Sequence, residues 1–208
     1  MGLTFNKLKG EAQKGKIESY TYVEGDNVVR MVGDVCARYV YWLKGENDKN
    51  VPFECLSFDR QKEAFLNQEK DWVRDYYPDQ KCTWSYAIQC IHGGKIKVLN
   101  LKKKLLEQIL LAAEDLGDPC DPKTGWDVYF KRVKTGPMAY NVEYQLQPLK
   151  CKPRELNEQE MEMIADLKSM DEVLARPTPD AQKELLDRIR AGSSNSDADE
   201  SINDEFDI

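Results

Sequence analysis

Two segments of the chain alternate their side chains with a period of two, which is the pattern of a β-strand. In residues 35–44 one face carries Val35, Ala37, Tyr39, Tyr41 and Leu43, and the other carries Cys36, Arg38, Val40, Trp42 and Lys44. Residues 82–91 alternate in the same way. The sequence His92-Gly93-Gly94-Lys95 then predicts a hairpin turn, with a returning strand over residues 95–101. The pattern therefore predicts a fold built on β-hairpins.

Other segments complete a mainly β fold. Residues 28–32, 126–134 and 140–149 are predicted as further strands, and residues 61–75 have helical spacing. Residues 102–115 form an amphipathic helix whose apolar positions are Leu105, Leu106, Ile109, Leu110 and Ala113. Short strands with one interposed helix favour a small Greek-key β-barrel over a doubly wound sheet.

The chain changes character after Pro153. Residues 157–174 and 181–189 are predicted as C-terminal helices, and the Ser-, Asn- and Asp-rich residues from Ala191 onward bury too little apolar surface to fold alone. We therefore divide the chain into an N-terminal basic arm (1–19), a barrel core (20–152), a helical C-terminal segment (153–190) and a disordered acidic tail (191–208).

The net charge reverses along the chain. Residues 1–154 hold 25 Lys and Arg against 21 Asp and Glu, a net charge of +4, whereas residues 155–208 hold 5 against 16, a net charge of −11. The last eighteen residues contain six acidic side chains and no Lys or Arg. A basic body with its own polyanionic tail suggests a protein that handles a polyanion, with a tail that competes for the binding groove or recruits basic partners.

The sequence argues against membrane insertion and against several kinds of site. It has no run of eighteen apolar residues and no signal-peptide core, so we expect a soluble cytosolic protein. Six scattered cysteines without a C-x-x-C pair are expected to be free thiols. A zinc site from Cys55, Cys82, Cys90 and His92 would have the wrong spacing, and we expect no cofactor and no metal.

No pattern for catalysis stands out. The single histidine, His92, falls in a Gly-Gly turn, and phosphate-loop and dinucleotide motifs are absent from the sequence. Asp118, Asp121 and Asp127 could hold the metal of a nuclease, but they lie in or beside a Pro-rich turn, where Asp is common for conformational reasons. We therefore predict no catalytic residues and keep a metal-dependent single-strand nuclease as an alternative.

Basic and aromatic side chains occur together on several predicted strands. Such a mixture suits single-stranded nucleic acid, because cations follow the phosphates and aromatic rings stack on unpaired bases. An aromatic residue on an alternating strand also packs readily in a core, so each position has this second interpretation. The predicted DNA-binding residues are Arg30, Arg38, Tyr41, Trp42, Lys44, Lys81, Trp84, Tyr86, Lys95, Lys97, Lys103, Trp126, Tyr129, Lys131, Arg132 and Lys134.

Four stretches, in order, carry a resemblance to a known family: residues 24–30, Thr83-Trp84-Ser85-Tyr86-Ala87-Ile88, Gly94-Lys95-Ile96-Lys97-Val98-Leu99, and Thr124-Gly125-Trp126-Asp127-Val128-Tyr129-Phe130-Lys131-Arg132. Their order, with the Lys-rich helix between the last two, resembles tailed-bacteriophage single-stranded-DNA-binding proteins of the T-even helix-destabilising type. The resemblance covers roughly residues 20–150.

The resemblance implies an OB-fold core, a basic groove lined by aromatics and an acidic tail that binds replication and recombination proteins. It also implies self-association through a basic N-terminal segment, where this chain has Lys7, Lys9, Lys14 and Lys16. The type member holds a structural zinc through three Cys and one His. This chain has only Cys55 and Cys82 in that region, so we expect the zinc to be lost.

The sequence hypothesis is a non-catalytic protein that coats single-stranded DNA during phage replication, recombination and repair in the cytoplasm of the infected host cell. The tail is expected to bind partners through its last five residues, Asp204, Glu205, Phe206, Asp207 and Ile208. Besides the nuclease, a protein-binding adaptor with an OB-like body stays an alternative, and a preference for RNA stays open.

Overall fold

An antiparallel sheet of six strands forms the centre of the computed structural model, which describes residues 17–45, 50–138 and 141–190. The strands of the sheet are β1 (Gly25–Lys44), β2 (Asn50–Glu54), β5 (Thr83–His92), β6 (Lys95–Leu101), β7 (Val128–Lys134) and β8 (Val142–Leu146), and β3 (Phe58–Asp59) with β4 (Ala64–Phe65) forms a separate hairpin. The helices are α1 (Trp72–Tyr76), α2 (Lys103–Leu116), α3 (Glu158–Ala165), α4 (Met170–Val173) and α5 (Pro179–Arg190).

The long strand β1 organises the sheet. Its residues 25–29 pair with β7, residues 30–40 with β5 and residues 40–44 with β2. The register shifts between Val32 and Cys36, where Gly33 has a φ of +73°. A bulge with glycine in this conformation bends a strand, so the two strands predicted at 28–32 and 35–44 are one strand with a bend between them.

The predicted barrel is not closed by strand pairing. The strand order is β6-β5-β1-β7-β8, with β2 on β1, so β6 and β8 end the described sheet. Helix α2 packs beside β8, and Gln108 on this helix completes the edge of that strand. Its Nε2 donates to the Tyr144 carbonyl at 3.0 Å, and its Oε1 accepts from the Leu146 amide at 2.8 Å. The side-chain amide of Gln108 thus forms hydrogen bonds with two main-chain groups that would pair with a neighbouring strand in a closed barrel.

One face of the sheet and α2 enclose the main core. Its fully buried members include Ile88, Leu99, Leu105, Ile109 and Phe130. This packing confirms the amphipathic helix predicted at 102–115 at the buried positions Leu105, Leu106 and Ile109. Leu110, which the sequence analysis also placed on the apolar side, is 60% exposed.

A second core lies beyond the bend of β1, where β1 and β2 meet α1 and α5. Tyr41, Phe53, Phe58 and Leu186 pack together there. The helix predicted over residues 61–75 is wrong for most of its length, because residues 58–65 form the β3–β4 hairpin and only Trp72–Tyr76 is helical. Asp71 starts that helix by accepting from the Val73 amide at 3.2 Å.

Part of the C-terminal segment packs on the sheet face opposite to the main core. Met170 packs on Cys36, Ala87 and Val98, and Gln182 donates to the Glu54 carbonyl at 3.0 Å. The helix predicted at 157–174 is two helices, since Ser169 begins α4 with a capping box to Glu172. In the part of the chain that the structure describes, no helix is long and apolar enough to span a membrane.

Some predictions fall on residues that the structure does not describe. Residues 1–16 of the proposed basic arm and the whole acidic tail, residues 191–208, lie outside the described ranges. All six cysteines are described and are free thiols, four of them buried.

Candidate nucleic-acid interface

Four aromatic side chains form a continuous row, here called the aromatic row: Phe65, Tyr39, Trp84 and Tyr86. The ring centroids are 4.7 Å apart for Phe65 and Tyr39, 4.2 Å for Tyr39 and Trp84, and 5.5 Å for Trp84 and Tyr86. The last two rings are stacked with an interplanar angle of 7°. Trp84 is 40% exposed and Phe65 is 48% exposed, so the row presents large apolar rings to solvent.

Strand register places these rings side by side. Tyr39 on β1 lies opposite Trp84 on β5, and Ala37 on β1 lies opposite Tyr86 on β5. The rings of Tyr39, Trp84 and Tyr86 therefore share one face of the sheet. The same face of β5 is buried further along, at Ile88 and Cys90. The aromatic row therefore occupies the place where this face of the sheet leaves the main core and becomes exposed.

A buried ring supports the row from beneath. Phe58 is 1% exposed, and its centroid lies 4.8 Å from Tyr39, 5.2 Å from Phe65 and 5.8 Å from Trp84. The β3–β4 hairpin pairs Phe58 with Phe65, which fixes both rings against the row. The exposed rings of the row thus rest on a buried aromatic side chain.

Three consecutive lysines lie next to the row. Tyr86 pairs with Leu101, and Lys102, Lys103 and Lys104 follow Leu101 directly at the start of α2. The lysines line a surface depression of about 490 Å³ together with Thr135, Val142, Glu143 and Tyr144. The first turn of α2 has no acidic residue and no side-chain cap, so the helix dipole and the lysines both favour an anion at this position.

Strand β7 adds two cations on the same side. Arg132 lies opposite Tyr144 and Lys134 lies opposite Val142, and both of these partners line the depression. Residues directly opposite each other in an antiparallel pair share a face. Arg132 and Lys134 therefore extend the basic surface from α2 onto β7.

Acidic groups also lie near the row. The pKa of the Tyr86 hydroxyl is raised by partial burial and by the negative charges of Glu63 and Glu107. Burial, followed by the nearby thiol of Cys82, raises the pKa of Tyr39. Both tyrosines therefore stay neutral at physiological pH and offer uncharged ring faces.

Two of the predicted aromatic contacts are core residues. Trp126 is 0% exposed, and its indole N–H donates to the Gly117 carbonyl at 2.9 Å. Tyr41 is buried in the second core, where its hydroxyl donates to Asp71 Oδ2 at 3.2 Å. Because both rings are buried, no base can stack on them in this conformation.

The predicted cation Arg30 is also buried, with 2% exposure. Its Nη2 donates to the Asp121 carbonyl at 2.6 Å, and burial lowers the pKa of its guanidinium. Arg30 therefore lies under the 118–125 turn, where no phosphate reaches it in this conformation.

The opposite face of β1 is covered by the C-terminal segment at Arg38 and Trp42. Arg38 and Trp42 line a cavity of about 220 Å³ whose opposite wall includes Leu174, Pro177 and Leu185. The Trp42 face, which the sequence analysis included among the binding residues, is thus separated from the aromatic row by the sheet itself.

The remaining predicted residues lie on several surfaces. Lys81 is exposed and precedes Trp84 by three positions in the sequence. Lys95 and Lys97 lie at the far end of the β5–β6 hairpin, where Lys97 Nζ is 3.9 Å from Glu18 Oε2. Tyr129 and Lys131 are on the outer face of β7, opposite to Phe130, and Lys44 is exposed at the end of β1.

Four residues of this surface were absent from the predicted set: Tyr39, Phe65, Lys102 and Lys104. Alternation did place Tyr39 on one face of its strand, and the three-lysine run was visible in the sequence. Phe65 gave no such signal, because its position depends on the β3–β4 hairpin, which the helical spacing of residues 61–75 concealed.

The three aspartates considered for a nuclease are engaged in local structure. Asp118 accepts from the Cys120 amide, and Asp121 accepts from the amides of Lys123 and Thr124, which lower the pKa of its carboxyl. Asp127 binds Arg154 at 2.7 Å. Within residues 17–45, 50–138 and 141–190, no three His, Cys, Asp or Glu side chains are grouped so that they could hold a metal ion.

The chain is similar to a curated bacteriophage protein. The chain is 26% identical over 236 aligned positions to a protein of Escherichia phage T5 named "Probable ssDNA-binding protein". The alignment covers 93% of this chain and 90% of the relative. No protein-family model matches the chain. No solved structure matches it either.

Proposed function

We propose that this chain is a phage single-stranded-DNA-binding protein. The observation that carries the proposal is the exposed aromatic row beside Lys102, Lys103 and Lys104. Each stacked base contributes about 1–3 kcal/mol to such binding, and the lysines neutralise the phosphates between the bases. The name of the phage T5 relative, which aligns along most of the chain, supports the same function.

The chemistry favours unpaired strands over duplex. Inside a duplex the base faces are covered by their neighbours, so rings such as Trp84 and Tyr86 have no base to stack on. Duplex readers usually insert a helix into the major groove, whereas the basic start of α2 lies against the sheet with Leu105 in the core. A single strand can place its bases on the aromatic row and its phosphates on α2 and β7.

We further propose that the core is an OB-type domain. The succession β1, β5, β6, α2, β7 and β8 is consistent with a five-stranded Greek-key barrel carrying one helix, with α2 and Gln108 occupying the seam between β6 and β8. In this proposal residues 20–152 form the binding core and residues 153–190 a helical support, while residues 1–19 serve as a basic arm for self-association on DNA.

The DNA path that we propose uses the predicted residues that lie near the row together with the four residues that the prediction missed. The proposed contacts are Tyr39, Phe65, Lys81, Trp84, Tyr86, Lys102, Lys103, Lys104, Arg132 and Lys134. The bases stack along the row, and the backbone crosses the depression at the start of α2. We propose that the other predicted cations contact DNA only when a longer strand continues over neighbouring surfaces of the protein.

In the cell, we propose that the protein coats DNA without catalysis during phage replication, recombination and repair in the host cytoplasm. Its acidic residues 191–208 compete with DNA for the basic surface, and the sequence Asp204-Glu205-Phe206-Asp207-Ile208 recruits partner proteins. Two apolar side chains among acids suit a basic pocket with an apolar floor on a partner.

A titration with oligo-dT at several salt concentrations tests the proposal. Binding should weaken with salt, with a log–log slope of about −0.7 for each phosphate contacted. Absence of binding, or binding that salt does not change, would refute it. In a parallel incubation of labelled oligonucleotide with Mg²⁺ or Mn²⁺ the strand should stay intact, because a nuclease would cleave it. An adaptor that binds only protein would leave oligo-dT unbound.

A further inference from the structure

The cavity of about 220 Å³ beside Arg38 and Trp42 lies between β1, β2, β6 and the C-terminal segment. One buried water needs only about 10–15 Å³ of such space, so the cavity has room for a small organic molecule. Most of its wall is apolar and includes Val40, Val98 and Leu185. The wall therefore suits a ligand with an apolar body.

Arg38 brings a positive charge into this apolar wall. Within the described part of the chain its guanidinium forms no hydrogen bond and no ion pair, and its Nε is buried without a partner. Burial lowers the pKa of the guanidinium, but an arginine stays protonated at neutral pH. A cation that is largely removed from water and unpaired destabilises a folded protein unless a ligand supplies the missing anion.

Glu54, the acidic side chain of the cavity wall, is already bound by Arg60. Arg60 donates to it with Nε at 2.7 Å and with Nη2 at 2.5 Å, and both side chains are 7% exposed. Asp171 accepts from Arg60 Nη1 at 2.8 Å and is 59% exposed, so water screens its charge. The two carboxylates thus balance Arg60, and the charge of Arg38 is left for an anion in the cavity.

Asn100 adds an amide to the same cavity. Its side chain is buried, with 6% of the residue exposed, and its Oδ1 has no hydrogen-bond partner. An amide side chain both accepts and donates hydrogen bonds, so it pairs well with another amide. An apolar cavity with a few convergent polar groups is the usual form of a small-molecule site.

We propose that this cavity binds a small organic carboxylate that carries an amide and an apolar side chain, such as an N-acylated apolar amino acid. The carboxylate binds Arg38, whose planar fork of donors fits two carboxylate oxygens. The amide of the ligand pairs with Asn100, and its apolar side chain packs on Val40, Val98 and Leu185. The inference goes beyond the proposed function and does not depend on it, because the sheet separates the cavity from the aromatic row.

Isothermal titration calorimetry of the full chain with N-acetyl-L-leucine tests the site. N-acetyl-L-leucinamide has the same body without the charge, and it should bind about 10- to 150-fold more weakly, as loss of a hydrogen-bonded ion pair predicts. Arg38→Gln should weaken binding of the acid by a similar factor, and Asn100→Ala should weaken it without removing a charge. Arg188→Gln is the matched control, since Arg188 is an arginine of α5 that pairs with Glu184 and does not line the cavity.

Urea unfolding separates a ligand site from a structural role of Arg38. Because the cation is unpaired, Arg38→Gln should keep or raise the midpoint of the free protein, whereas loss of a structural arginine would lower it. N-acetyl-L-leucine should raise the midpoint of the wild type and leave that of Arg38→Gln unchanged.

Several results would overturn the inference. These are no saturable binding of N-acetyl-L-leucine, equal affinities for the acid and the amide, or an Arg38→Gln variant that binds the acid as tightly as the wild type. Acetate that binds as tightly as N-acetyl-L-leucine would overturn the ligand class, because the apolar wall and Asn100 would then contribute nothing. A lower urea midpoint of free Arg38→Gln would give Arg38 a structural role instead.

Discussion

Replacement of Trp84 by alanine is the sharpest test of the aromatic row. Trp84 lies at its centre, 4.2 Å from Tyr39 and 5.5 Å from Tyr86 between ring centroids, and it is 40% exposed before any ligand binds. Its removal takes away one stacking face and leaves every cation of the basic surface in place. The variant therefore separates the contribution of the bases from that of the phosphates.

The expected loss of affinity follows from the energy of one stacked base. Stacking on an aromatic side chain contributes about 1–3 kcal/mol, so Trp84→Ala should bind oligo-dT about 5- to 150-fold more weakly. Because no phosphate contact is lost, the slope of log affinity against log salt should stay at its wild-type value. A weaker affinity with an unchanged slope is thus the specific signature of a stacking residue.

The variant also loses packing, and the assay must allow for this. Each aromatic pair contributes about 0.5–1.5 kcal/mol, and Trp84 contacts Tyr39, Tyr86 and Phe58. Phe58→Leu is the matched control, since Phe58 belongs to the same cluster but is buried and cannot stack on a base. It should lower the midpoint of urea unfolding and reduce the affinity of the folded protein much less than Trp84→Ala does, because all rings that can stack on a base are still present.

Anisotropy of a labelled oligo-dT is the suitable readout, because the substitution itself alters the tryptophan fluorescence of the protein. Circular dichroism checks that each variant is folded at the assay temperature. If Trp84→Ala binds as tightly as the wild type, the row is not the base-binding surface. If Phe58→Leu loses as much affinity as Trp84→Ala, the effect comes from lost packing and the stacking argument fails.

Three further changes test other parts of the molecule. Replacing Lys103 and Lys104 together by alanine should reduce the magnitude of the slope of log affinity against log salt by about 1.4, because each phosphate contact contributes about 0.7. An unchanged slope in the same titration would place these lysines outside the interface. Truncation after Arg190 should tighten binding to oligo-dT, most at low salt, since six acidic side chains no longer compete; equal affinities of both chains would limit the tail to partner recruitment. Gln108→Ala should lower the free energy of unfolding by about 1–3 kcal/mol, because the Tyr144 carbonyl and the Leu146 amide lose their hydrogen-bond partner. A midpoint of urea unfolding equal to that of the wild type would contradict a stabilising role of Gln108 at this strand edge.

Much of the β architecture could be predicted from local patterns. The alternation in residues 82–91, the Gly93-Gly94 turn and the apolar stripe of α2 each depend on neighbours in sequence, and each is found in the structure. Both glycines of the turn have positive φ, +60° and +71°, as a two-residue hairpin requires. The covered edge of β8 was not predictable, because it depends on a long-range contact of the Gln108 side chain with that strand.

Residues 61–75 show how a local pattern misleads. Ala64, Phe65, Gln68 and Trp72 have helical spacing, yet Phe65 pairs with Phe58 across a hairpin and Trp72 begins a separate short helix. The side chains of Asp59 and Asp71 and the buried ring of Phe58 outweigh the helical propensity of the segment. Tertiary contacts of this kind cannot be read from spacing alone.

Trp84 and Trp126 show why only part of the candidate site could be predicted from the sequence. Trp84 and Trp126 both lie beside basic residues in the sequence, but Trp84 is exposed and Trp126 is enclosed beneath Gly117. Alternation assigns a side chain to one face of a strand, and it does not say where along the strand that face leaves the core. On β5 the change from buried to exposed side chains lies between Ile88, which is buried, and Tyr86, which is only partly buried. The place of the change is set by the bend of β1 at Gly33 and by the hairpin that carries Phe65, two features distant in sequence from Trp84. A surface that binds bases must keep large rings exposed at a definite place, and the boundary between the two cores is where this chain can hold such rings in order without burying them.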